Sequence, residues 1–187
     1  MNIDTVVKVG GSLYDLPDLG ARLGKWLAGL ESSSVILIPG GGPTADLVRT
    51  WDREQRLGEE AAHWLALRAL TFNAHFLASI LPDSRVIQSL EEAGPGWFSI
   101  LDMHAWAKEV ERGPDRFPHT WEVTSDSLAV QAAIRGKSSH LILLKSVALP
   151  AEIDWPEAAR RGIVDSFFPK AIRLASSTLK VRVVPFR

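Results

Sequence analysis

Apolar residues along this chain follow two rhythms. Val6-Val7 with Val9, Val35-Ile36-Leu37-Ile38 and Leu141-Ile142-Leu143-Leu144 are short, unbroken apolar runs. Runs of that kind suit strands covered on both faces, as in parallel sheets. Between the first two, Leu16, Leu19, Leu23, Trp26, Leu27 and Leu30 recur at helical spacing, which predicts a helix with Asp15 as its N-cap. Positions 59–81 are apolar nearly all round, through Trp64, Leu65, Leu67, Leu70, Phe72, Phe76, Leu77 and Ile80, so this helix is expected in the core or against a second subunit. Val86-Ile87 and 97–101 read as short strands, 103–110 as a helix, and 111–119 as a charged loop that could serve as a flap. A helix capped by Thr124 or Ser125, with Asp126 in its first turn, runs on through the small and apolar residues of 128–134. His140 to Lys145 is a strand, Asp165 opens a last helix, and 180–184 closes the chain as a strand.

Two strands end in glycine. Val6-Val7-Lys8-Val9 breaks into Gly10-Gly11-Ser12, and the second strand runs into Pro39-Gly40-Gly41-Gly42-Pro43 before a further helix with Pro43 at N1. Glycine amides approach an anion closely, and a helix N-terminus adds its dipole. A right-handed crossover sets both loops at one sheet edge. Two phosphate-sized sites there suit a donor and an acceptor. The plainer alternative is an ordinary Gly-Gly turn with Lys8 snorkelling to water. Arg49 and Arg53 share a helix face and could hold an anionic acceptor or be solvated, and Asp46 or Asp52 could meet an acceptor amine. Lys170, in a helix's first turn, stands against the local dipole, as residues placed for a ligand often do.

Composition narrows the field. Twenty-one basic against 22 acidic residues give a net charge of −1, without the basic excess of a nucleic-acid or membrane-surface binder. With 187 residues the chain is expected to form a single domain, residues 1–187. There is no cysteine, and so no thiolate metal site or thiol nucleophile. The N-terminus lacks signal-peptide character and no apolar run spans a membrane, so a cytoplasmic location is expected. The five histidines show no metal-ligand spacing, and Gly136-Lys137-Ser138 is no P-loop, because it ends a helix instead of following a strand.

Lys8-Val9-Gly10-Gly11-Ser12, Pro39-Gly40-Gly41-Gly42 and Thr124-Ser125-Asp126 heading an alanine-rich helix resemble the amino acid kinase family, which includes acetylglutamate, aspartate and uridylate kinases. That resemblance implies a three-layer αβα sandwich with a mostly parallel sheet, and transfer of the γ-phosphoryl group of ATP, with Mg²⁺ carried on the ATP phosphates. It implies catalytic roles for Lys8, Asp126 and Lys170, Asp126 orienting the lysines. Gly10, Gly11, Ser12, Lys145, Ser146 and Asp165 would contact the nucleotide. Gly40, Gly41, Gly42, Arg49, Thr124 and Ser125 would hold the acceptor. Where this chain has Leu144-Lys145-Ser146, many members carry a Thr-Asp pair.

The Pro-Gly-Gly-Gly loop, the Val-Thr-Ser-Asp-Ser run and Val164-Asp165 resemble the small kinases of methanofuran biosynthesis. These phosphorylate an aminomethyl-furanmethyl phosphate to the diphosphate. The partners implied are ATP and a small anionic acceptor, with a homodimer or larger homo-oligomer. A carboxylate acceptor, and a nucleotide-binding homologue without turnover, stay open as alternatives.

Overall fold

β1 (Thr5–Val9), β2 (Val35–Pro39) and β5 (His140–Lys145) are the apolar runs of the sequence, and they lie side by side at the centre of the sheet. The computed structural model describes residues 3–32, 34–113, 116–148 and 154–187. With β3 (Ser84–Ile87), β4 (Phe98–Leu101) and β6 (Lys180–Pro185) they form one six-stranded sheet in the order β3-β4-β2-β1-β5-β6, each neighbouring pair parallel.

Alternation along the strands feeds two cores. Val6, Ile36, Ile38, Leu141 and Leu143 face one side, under α4 (Met103–Val110), α5 (Ser125–Arg135), α6 (Trp155–Arg160) and α7 (Phe168–Leu174). Val7, Val9, Leu37, Ile142 and Leu144 face the other, under α1 (Leu19–Ala28). α3 (Glu59–Ile80) serves both, Leu67 and Leu70 packing in the first core and Ala74 and Leu77 in the second. The result is the αβα sandwich. Among the described residues no helix is long and apolar enough to cross a membrane.

Three local differences from the sequence reading stand out, the first with a clear physical cause. Asp15 caps no helix: α1 starts at Leu19, after Pro17 has removed an N–H and restricted Leu16, and Asp15 pairs with Arg187 instead. α6 is short and went unread, although Asp154 caps it and Pro156 sits in its first turn. α2 (Gly42–Gln55) starts one residue before Pro43. The expected flap at 111–119 includes positions 114 and 115, which lie outside the described residues.

Because β1 and β2 are parallel neighbours, their glycine loops emerge together and touch. A Cβ on Gly40 would lie 2.3 Å from the Gly11 nitrogen and 2.6 Å from the Val9 oxygen. One on Gly11 would lie 2.2 Å from the Gly42 nitrogen. Backbone, not a yielding side-chain tip, fills both spaces. Gly40→Ala is therefore expected to cost at least about 1–3 kcal/mol in urea unfolding. Gly29→Ala, whose added Cβ meets nothing closer than 3.5 Å, is the control and should stay within about 0.5 kcal/mol of wild type.

Candidate active site

The strand parity that builds the first core also delivers two lysines to it. Lys8 is two residues beyond Val6, and Lys145 two beyond Leu143, so both side chains project toward α5. The register pairs Lys8 with Leu143 and Val9 with Leu144, which makes the lysines diagonal neighbours at the carboxyl end of the sheet. Asp126 stands between them: Lys8 Nζ lies 2.9 Å from Oδ1, and Lys145 Nζ lies 2.8 Å from Oδ1 and 2.7 Å from Oδ2. All three residues are buried, Asp126 only 5% exposed. Burial alone would push the Asp126 carboxyl up, but Lys8 and Lys145 together hold it below the usual aspartate range. Burial first, and the Lys8 charge second, bring the Lys145 ammonium down to about 8.

One carboxylate shared by two ammonium groups leaves a net positive charge at the floor of a cavity of about 220 Å³. Gly11 and Ser12 line it on one side, Gly41 and Gly42 on the other, with Ser125 and Lys145 beside them. The Gly10 amide is held by the Leu144 carbonyl at 2.9 Å, so the amides offered to a ligand start at Gly11, where a short 3₁₀ turn opens. Asn73 on α3 holds the second loop, its Nδ2 donating to the Gly40 and Gly41 carbonyls at 2.7 and 2.8 Å. Tyr14 adds a hydroxyl to the Gly40 carbonyl at 3.0 Å, and burial raises its phenol well above the usual range.

Of the residues singled out from sequence, the cavity gathers Lys8, Gly10, Gly11, Ser12, Gly41, Gly42, Arg49, Thr124, Ser125 and Lys145, with Asp126 behind the lysines. Gly40 is buried beneath the loop. Ser146 sits at the rim, taking a hydrogen bond from Ser12 at 3.1 Å. Asp165 is used elsewhere: it accepts from Thr124 N at 2.9 Å, Thr124 Oγ1 at 2.8 Å and Ser127 N at 3.0 Å, closing the N-terminus of α5. Burial and the nearby Asp126 charge raise its carboxyl. Lys170 is not brought to the cavity; it lies exposed on α7 with its ammonium 5.2 Å from the Phe167 ring. The second ammonium on Asp126 belongs to Lys145.

Sequence reasoning missed the far wall. Glu59, His63, Thr120, Trp121 and Val123 also line the cavity. Arg49 stacks over Trp121 at 4.7 Å and donates to Asp46 at 2.7 Å, while the Trp121 indole donates to Asp52 at 2.7 Å. Only the spacing of Glu59, His63, Ala66 and Leu70 along one helix face hinted at such a wall. Among the described residues, no cluster of three or more His, Cys, Asp or Glu could hold a metal ion.

The architecture matches solved structures along nearly its whole length. A uridylate kinase from Archaeoglobus fulgidus superposes with a TM-score of 0.67 at 18% identity, over 97% of this chain and 90% of that one. The UMP kinase of Ureaplasma parvum gives 0.64 at 15%, over 98% and 89%. An aspartate kinase from Synechocystis gives 0.61 at 15%, over 96% of this chain and 38% of that one. The fold is the amino acid kinase fold. No family model matches the chain. A curated relative from Methanocaldococcus jannaschii, [5-(aminomethyl)furan-3-yl]methyl phosphate kinase, is 27% identical over 177 residues, covering 87% of this chain and 68% of that protein. The chain thus has the amino acid kinase fold, resembles the kinases built on it, and is a kinase.

Two outcomes follow from the lysine–aspartate cluster. Asp126→Asn leaves two buried ammonium groups facing each other and should cost on the order of 3 kcal/mol in unfolding experiments. Lys8→Met leaves Asp126 its two contacts to Lys145 and should cost far less, while turnover falls by about two orders of magnitude or more. The pH dependence has opposite signs for activity and stability. Rising pH through about 8 discharges Lys145, so kcat/KM for ATP should fall there, and Lys145→Arg should remove the fall from that window. Between about 8 and the ordinary 10.5 only the unfolded chain holds this proton, so the residue's contribution to stability rises with pH.

Proposed function

We propose that the protein transfers the γ-phosphoryl group of ATP to a phosphomonoester, giving a diphosphate and ADP, and that its acceptor is an aminomethyl-furanmethyl phosphate or a close analogue. The observation that carries this reading is the positive floor of Lys8 and Lys145 between two glycine loops, with Arg49 on the same cavity. Two anionic phosphates brought together repel each other, and fixed cations with loop amides offset that repulsion.

The chemistry needs little else. An acceptor phosphate oxygen attacks the γ-phosphorus, the new O–P bond forms, and the bond to the β-phosphate oxygen breaks as ADP leaves. Both Asp126 oxygens are occupied by ammonium groups, so Asp126 orients the lysines and is not placed to take a proton. Burial and the charge of His119 take His63 down to about 4, which makes it a poor base. A site without a general base suits an acceptor that is already ionised, and a phosphomonoester carries about −1.5 to −2 charges near pH 7. Mg²⁺ would enter with ATP, on its phosphates, since Asp126 has no oxygen to spare for it. The name of the curated relative supports the furan phosphate among such acceptors.

ADP release measured with MgATP and a panel of phosphomonoesters, carboxylates and amines tests the proposal. Turnover is expected with an arylmethyl phosphate, and the product should not be trapped by hydroxylamine. A hydroxamate formed from a carboxylate acceptor overturns the phosphate reading. ATP binding without ADP release from any acceptor overturns the kinase reading. An assembly belongs to the same proposal, because Phe72 on α3 is 65% exposed on an otherwise core-forming helix. Sedimentation should give at least twice the mass of one chain, reduced by Phe72→Glu; a single-chain mass for wild type removes this part.

A further inference from the structure

Along α3 the cavity wall changes character. Leu70 lies beside the glycine loop, 3.9 Å from where a Cβ on Gly41 would stand. Leu67, Ala66, His63 and Glu59 follow on the same face toward the helix start, all lining the cavity. At about 1.5 Å per residue, His63 is about 10 Å and Glu59 about 16 Å from Leu70 along the axis. An acceptor with its phosphate at the glycine loops thus meets an apolar middle of Leu67, Leu70, Val123 and Leu128, then a polar outer end.

The other carboxylates near that end are engaged. Asp46 pairs with Arg49 at 2.7 Å, and Asp52 accepts from the Trp121 indole and from Gly58 N at 3.1 Å, so neither of the aspartates considered from sequence is left to meet an amine. Glu60 accepts from Trp64 Nε1 at 2.7 Å and lies 2.6 Å from His119 Nδ1, and Glu111 lies 2.9 Å from His119 Nε2. Glu59 and His63 differ. Among the described residues neither forms a hydrogen bond or ion pair, and both face the cavity. The Thr120 hydroxyl, on the same cavity, is buried without a partner among the described residues.

His63 is nonetheless held firmly. Its ring stacks flat on that of His119, centroids 3.8 Å apart and planes 6° from parallel, and His119 is clamped between the two glutamates. Burial opposes charging His119, but Glu111 and Glu60 outweigh it and raise its affinity for a proton. Burial first, and the His119 charge second, bring His63 down to about 4, so near pH 7 the ring is neutral and one of its nitrogens keeps a lone pair to offer a donor.

From this arrangement we infer that Glu59 and His63 form an ammonium-recognising end of the acceptor cavity, selecting phosphomonoesters that carry a primary amine one small ring away from the phosphate. The inference rests on the phosphomonoester reading above and adds which residues discriminate among such acceptors. Glu59 supplies the countercharge, the His63 lone pair accepts one N–H, and His119 is a positioning residue acting through His63.

The test compares two acceptors, a furfuryl or benzyl phosphate bearing an aminomethyl group and the same phosphate bearing methyl there. Wild type should prefer the amine by at least about tenfold in kcat/KM. Glu59→Gln should bring the two within about threefold, with the loss in KM for the amine-bearing acceptor. His119→Ala should erode the ratio less, and His119→Gln less still, since an amide can keep a contact to a glutamate. Glu54→Gln, a carboxylate on the outer side of α2, should keep the wild-type ratio. Equal kcat/KM for both acceptors in wild type overturns the inference while the phosphomonoester proposal stands, and needs no variant to fold. A preference that persists in Glu59→Gln also overturns it. Release of ADP with neither phosphate overturns the phosphomonoester proposal and the inference together.

Discussion

The shared salt bridge of Asp126 with Lys8 and Lys145 is the constraint around which the rest of the structure is arranged. A carboxylate taken from water is stable as an anion only where the charge is met, and here it is met twice. Each partner comes from a different strand, and the carboxylate comes from a helix laid across both. Neighbouring parallel strands of matched register, with α5 seated at one height, are needed to close those contacts. Asp165 belongs to the same arrangement. It binds the opening amides of α5 and so fixes the height from which Asp126 reaches down.

The surplus positive charge that results is useful only because water is largely kept from it. Charges in a cavity walled by leucine and valine act on a ligand more strongly than the same charges on the surface. The glycine loops supply neutral dipoles beside the cations, and they approach one another so closely that no side chain fits between them. Sheet geometry places the charge, and the loops give it a shape.

Much of this was legible in the chain. The unbroken apolar runs announced a parallel sheet, and Lys8 could be placed at a strand end because two glycines follow it. The helices at 103–110 and 59–81 matched the observed bounds to within a residue. Lys145 was harder to read, because a lysine closing an apolar strand looks the same whether it faces water or a buried aspartate. Which face it takes depends on strand parity relative to β1, and that follows only once the register is known. Lys170 poses a related difficulty. Its conflict with the helix dipole is real, but α7 is short and exposed there, so water and the Phe167 ring accommodate the charge. The Glu60–His119–Glu111 clamp spans 59 positions of sequence, and no local pattern encodes that meeting.

Asn73 has a consequence for the electrical sense of the glycine rim. A trans peptide unit points its oxygen and its hydrogen in opposite directions, so a side chain that captures both glycine oxygens from beneath turns the hydrogens of Gly41 and Gly42 the other way. A loop of three glycines can come very near a ligand, yet it can also flip its planes and present oxygens. Asn73 blocks the flip and leaves the nearness intact. Whether this rim welcomes anions or cations is thus decided by an amide buried behind it, in a residue that does not line the cavity.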